Sequence, residues 1–285
     1  MLFSKRTPQN HSDSFSSRYG TTKASYRSRR VLRDPLVVSR RLERRQVPDS
    51  PPDGSSSSSS VITMCVGPEK RLFAAHKEIL SVSPFFAAAC AAAQSLNPQS
   101  RRISLPEEQP EVLSCILEYL YRGDYYPRLV HNEQRDTWEL ENTQLKNGQT
   151  DGATIFHQSA NVEILKDTAV YCAADKYGLE HLKRLSLAKQ GLHTGIPCST
   201  ILASARYAYA NTPDNESKLR AHYLALIIRS RSTFKRSGTM QMEMEKGGKL
   251  FFDLFVAMCN HMVRLTPRPL LDDLSSSSAK PLLVD

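Results

Sequence analysis

The sequence predicts an α+β fold, a small β-sheet flanked by a helical cluster and followed by C-terminal α-helices. Three observations lead there. Residues 61–66 and 71–75 are short apolar runs joined by the turn chemistry of Gly67-Pro68. Behind Pro110, the residues Val112, Leu113, Ile116, Leu117, Leu120 and Tyr121 recur at i, i+3, i+4 spacing. From residue 162 onward the apolar pattern is helical and is broken only by Gly- and Pro-bearing turns.

Composition limits what the chain can be. Of its 285 residues 40% are hydrophobic, and the formal net charge is +9. That charge sits at one end: residues 1–60 hold 12 Lys/Arg against 5 Asp/Glu, a net +7. The remainder is close to neutral, which argues against a broad nucleic-acid-binding face on the folded part. Residues 1–60 are Ser- and Arg-rich, and they end in Pro51-Pro52-Asp53-Gly54 and six serines. Such a segment buries too little apolar surface to offset the entropy of ordering, so it reads as a disordered basic tail. Three roles stay open for it: a solvated tail, a nuclear-localisation or nucleic-acid-touching arm, and a mitochondrial presequence. No stretch reaches the ~20 apolar residues of a membrane span, and no apolar h-region follows the start. The six cysteines include no C-x-x-C pair, so buried free thiols in a reducing compartment are expected, in the nucleus or cytoplasm.

Element by element, residues 61–66 and 71–75 are two strands, and a short helix covers 76–80. Ser83 caps a second helix, with Pro84 in its first turn and the Ala-rich run 85–93 as its body. Residues 102–105 are a strand, and Pro110 opens an amphipathic helix. Residues 125–161 are polar and without periodicity, so they read as an insertion, with Trp138 anchoring it to the body. A helix then spans 162–177, closed by Gly178 as its C′ residue. Another covers 179–190, with Leu182, Leu185 and Ala188 inward. Helices follow over 199–210, over 217–230, and after Gly247-Gly248, the last carrying Leu250, Phe251, Leu254, Phe255, Met258 and Met262 on one face. Residues 191–263 thus form a helical extension, and 264–285, Pro- and Ser-rich, a flexible tail.

Catalytic signatures are missing. No glycine-rich phosphate loop, H-E-x-x-H or G-x-S-x-G occurs, and the eight histidines have no metal-ligand spacing. His76 reads as structural, Glu107-Glu108 as solvated, and Tyr207 and Tyr209 as core. Met240, Met242 and Met244 alternate as in a strand or a loose segment. The expectation is no enzyme, no cofactor, no metal and no small-molecule substrate.

Four motifs in order resemble the BTB/POZ domain family. They are Leu72-Phe73-Ala74-Ala75-His76-Lys77 running on to Ser83-Pro84-Phe85-Phe86; Ile103-Ser104-Leu105-Pro106-Glu107; Leu117-Glu118-Tyr119-Leu120-Tyr121-Arg122-Gly123-Asp124-Tyr125; and Ala173-Ala174-Asp175-Lys176-Tyr177-Gly178-Leu179. They span residues 61–190. The stretch around Tyr209-Ala210-Asn211-Thr212-Pro213 is similar to short single-domain BTB proteins of filamentous fungi. The resemblance implies a protein-binding module that self-associates or serves as substrate adaptor for a cullin-3 ubiquitin ligase. The expected partner surface is the flank holding Phe85, Phe86, Gln94 and Leu96. Family members that bind cullin carry an apolar-x-Glu motif after the Phe-bearing helix; at the matching positions this chain has Gln94-Ser95-Leu96, which supply neither the apolar residue nor the Glu. The alternative is a nuclear regulatory scaffold that contacts nucleic acid through the basic tail alone.

Overall fold

The computed structural model describes residues 14–15, 60–96, 101–141 and 152–265. Of the 1–60 tail it describes the pair Ser14–Phe15 (β1) and Ser60; the rest of that tail, and the 264–285 tail beyond Leu265, lie outside the described residues.

Strands β2 (Val61–Val66), β3 (Arg71–His76) and β4 (Arg102–Leu105) form one sheet in the order β3-β2-β4. β2 runs antiparallel to β3, with Val61 opposite His76 and Val66 opposite Arg71, and parallel to β4, with Thr63 opposite Arg102. The central strand alternates: Ile62, Met64 and Val66 are buried and their neighbours are not, which fixes the register. Gly67 makes the β2–β3 turn at φ +72°, and a Cβ there would crowd Pro110 at 3.2 Å, so glycine is required twice over.

Helices α1 (Lys77–Leu80), α2 (Pro84–Leu96) and α3 (Pro110–Arg122) cover the sheet's inner face. α3 stops at Gly123, at φ +80°. The polar insertion is not structureless. It folds as two antiparallel hairpins, β5 (Leu129–Asn132) with β6 (Thr137–Leu140), and β7 (Thr154–His157) with β8 (Val162–Leu165). Four-residue strands place only two side chains on each face, which is too few for a periodic signal. β8 also corrects the expected helix over 162–177: the segment holding β-branched Val162 and Ile164 pairs with β7, and α4 begins at Lys166. Trp138 does not anchor the insertion to the body. It is exposed and stacks at 5.0 Å on His131, its cross-strand neighbour.

Helix α4 (Lys166–Lys176) is the hub, because everything from Lys166 to Ala174 is buried. Ala169, Val170, Ala173 and Ala174 face a first core with the sheet, Phe86 and Tyr177; Tyr171 and Cys172 face a second. The second core is built by β9 (Ile196–Pro197, paired with β1), α6 (Cys198–Asn211), α7 (Lys218–Arg229), α8 (Arg231–Ser237) and α10 (Lys249–Leu265), with α9 (Thr239–Glu245) packed beside it. α8 and α9 were not expected. Met240, Met242 and Met244 stand on α9, where Met240 is half-buried and Met242 and Met244 are exposed.

α5 (Glu180–Gln190) departs furthest from its pattern. Leu182 is buried, but Ala188 is exposed, and the buried set includes Lys183, Ser186, Lys189 and Gln190. These polar residues recur every three or four positions and turn a second, hydrogen-bonding face inward. Among the described residues no helix is long and apolar enough to cross a membrane. All six cysteines are free, Cys90, Cys115, Cys172 and Cys198 being buried.

Candidate interaction surfaces

The α2 flank is assembled by one serine. Ser83 Oγ accepts the Phe86 amide at 3.3 Å as an N-cap and donates to the carbonyl of Tyr177 at 2.7 Å. That second bond ties the start of α2 to the end of α4. Gly178 makes the approach possible: it closes α4 at φ +69°, and a Cβ there would meet Pro84 at 3.2 Å. Phe85, Phe86 and Tyr177 then form one ring cluster, with centroids 4.7–5.4 Å apart.

The four expected partner residues separate. Phe86 is fully buried and belongs to the core, which corrects its assignment as a surface anchor; on a helix one residue of an adjacent pair turns inward. Phe85 is half-buried, its ring against Tyr177 and its edge at the surface. Gln94 accepts a hydrogen bond from Lys77 Nζ at 3.0 Å, which braces α1 against α2. Leu96 is the last residue of α2. Around Phe85 the flank exposes Val82, Ala88, Ala91 and Ala92, small side chains that allow a partner's backbone to come close. His76 is structural, as expected: its Nδ1 lies 2.7 Å from the Tyr121 hydroxyl, which also accepts the His76 amide at 2.9 Å.

A cleft of about 610 Å³ lies where the β4–α3 loop, the β7–β8 turn, α4 and α6 meet. Its chemistry comes from Glu108, His157, Ser159, Lys176 and Tyr207. Glu108 is not solvated; it is half-buried and pairs with Lys176. His157 sits between the Ser159 hydroxyl at 3.0 Å on Nδ1 and the Tyr207 hydroxyl at 3.1 Å on Nε2. Burial lowers its pKa, against the pull of Glu108, so the ring is neutral near pH 7. At Nε2 stands a phenol and not the carboxylate of a catalytic triad. Nothing in the sequence points to this cleft, because its walls come from five separate segments.

Beneath these surfaces runs a buried polar network. Lys189, fully buried, donates to Asp124 and to the carbonyls of Tyr125 at 2.7 Å and Pro127 at 2.8 Å, and lies over the Tyr125 ring. Asp167, also fully buried, accepts the Tyr125 hydroxyl at 2.6 Å and pairs with His193 Nε2 at 2.5 Å. Burial alone would raise the Asp167 pKa; His193 and the Tyr125 hydroxyl outweigh it and hold the carboxyl below its usual range. Lys183 bridges Asp175 at 2.5 Å and Glu216 at 2.5 Å, and so joins α5 to the loop that precedes α7. These links make the extension one packed unit with the sheet and its helices.

The BTB/POZ domain model, that of a protein-interaction domain, matches residues 55–135. No curated protein matches the chain.

Proposed function

We propose that this chain is a non-enzymatic adaptor whose BTB domain docks on the N-terminal region of cullin-3, leaving the helical extension to hold a substrate for ubiquitination. The observation that carries the reading is the BTB/POZ match over residues 55–135. The exposed ridge of Val82, Phe85, Ala88 and Ala91 supports it, since half-buried aromatics framed by small residues are the usual anchors of protein interfaces. The reading goes with a nuclear or cytoplasmic protein.

Calorimetric titration of the full chain with a cullin-3 N-terminal domain tests it. Micromolar or tighter binding is expected, weakened about 10-fold or more by Phe85→Ala. No binding at about 100 µM, roughly a hundred times that limit, sinks the adaptor reading and leaves a BTB scaffold.

The tail's net charge of +7 favours a second reading, a nuclear scaffold that touches nucleic acid through residues 1–60. It predicts salt-sensitive DNA binding that disappears when those residues are removed. Equal affinity with and without the tail rules it out.

A further inference from the structure

We propose that the outer face of α10 is a self-association surface, pairing antiparallel with α10 of a second copy of this chain. The helix has two apolar sides. Leu250 and Leu254 enter the second core, and half-buried Ala257 and His261 continue that line. On the opposite side, Phe252, Phe255, Cys259 and Met262 follow a 3-4-3 spacing, the a and d positions of a heptad. A surface helix of a monomer needs only one apolar stripe. This second stripe is open to solvent: Phe252 is 68% exposed, Phe255 67% and Met262 57%, with Val256 and Met258 flanking them at 41% and 37%.

The exposed area matches a dimer's requirement. With whole aromatic side chains worth ~150–250 Å² each, these five offer roughly 500 Å² of apolar surface. A standard interface buries about 800 Å² per partner, about 60% of it apolar, which is the same quantity. Charge also fits a second copy. The neighbouring charged groups are engaged with the body: Lys249 pairs with Asp214, and Asp253 accepts the Tyr209 hydroxyl at 3.0 Å. The stripe itself holds no charged residue, so an isologous contact sets none of its side chains against a like charge of its own copy.

The register follows from the spacing. In an antiparallel pair centred on Ala257, residues equidistant from the centre face each other. Phe252 then meets Met262, and Phe255 meets Cys259, an aromatic ring against sulfur in every layer. A parallel pair would instead set Cys259 against Cys259.

Light scattering and sedimentation of the full chain from 1 to 100 µM, on the order of the range over which adaptor-class dimers dissociate, test the proposal. The wild type is expected to be a dimer. The double variant F252E/F255E is expected to be a monomer with wild-type thermal unfolding, its dissociation constant raised at least ~30-fold. Mild oxidation of F255C is expected to give a disulfide-linked dimer through Cys259 of the second copy, while the wild type gives none. A monomeric wild type overturns the proposal, and so does a folded double variant that stays dimeric, which would assign self-association to the BTB domain. Should the double variant misfold, V256K takes its place with the same two outcomes. A monomer whose Cys259 becomes open to alkylation only when residues 266–285 are deleted assigns the face to the chain's own tail and overturns it as well.

Discussion

Replacing Lys189 by alanine is expected to destabilise the fold by about 3 kcal/mol, the low end for breaking a buried ion pair from one side, since the lysine is fully buried and Asp124 only partly so. The lysine does three jobs at one point. Its ammonium neutralises Asp124, satisfies the carbonyls of Tyr125 and Pro127, and stacks on the Tyr125 ring. Asp124 in turn holds the amides of Tyr125 at 2.7 Å and Leu129 at 2.9 Å, so the chain leaving α3 is fixed from both sides. Burial draws the Lys189 pKa down, and Asp124 first, then Asp167, push it back up. Truncation leaves a half-buried carboxylate and two carbonyls without their donor. Thermal unfolding should fall by about 10 °C, at ~2–4 °C per kcal/mol for a chain of this size. In an Asp124→Asn background the same truncation should cost less, by at least ~1 kcal/mol of coupling. A shift under about 2 °C, less than 1 kcal/mol, would show that water replaces the ammonium.

The residues behind that expectation are the ones hardest to find in the sequence. The strands of the sheet, the Ser83-Pro84 helix start, the Gly178 stop and the α3 stripe were all legible, because each is a local pattern. Lys183, Ser186, Lys189 and Gln190 look like the solvated face of α5, and only the tertiary placement of Asp124, Asp175, Thr168 and Glu216 turns them inward. Phe85 and Phe86 illustrate the same limit at the partner surface. The motif marks the pair, but which ring is core depends on where Tyr177 arrives from, more than ninety residues along the chain. α10 shows a third case. Its apolar residues were expected on one face, and the structure divides them between a core-facing line and an outward one. A list of apolar positions gives a helix's amphipathicity but not how many partners it has.

Asp167 should behave as the acid-sensitive element of the same network. Its carboxyl is held below the usual range, with an ordinary value of 3.8 as the reference. For an acid depressed in the folded state, the stabilisation is present above the unfolded pKa and is lost as pH falls through the folded one. The window therefore opens near pH 4 and extends downward. Within it the unfolded chain binds one more proton at this site, and stability should fall by up to about 1.4 kcal/mol per pH unit from Asp167 alone. Asp167→Asn removes that proton, so its urea-unfolding free energy should decline less steeply than the wild type's between pH 4 and pH 3. Asp167→Ala should cost about 3–5 kcal/mol at neutral pH as well, because it strands the Tyr125 hydroxyl and His193 Nε2 in a site from which water is excluded. Glu216 and Glu243 are also held below their usual range, by Lys183 and Lys246 working against burial, so the acid limb has several contributors. The test is the difference in slope between the wild type and Asp167→Asn. Equal slopes would mean that Asp167 is as easily protonated in the folded chain as in the unfolded one, and that His193 is held by hydrogen bonding without an ion pair.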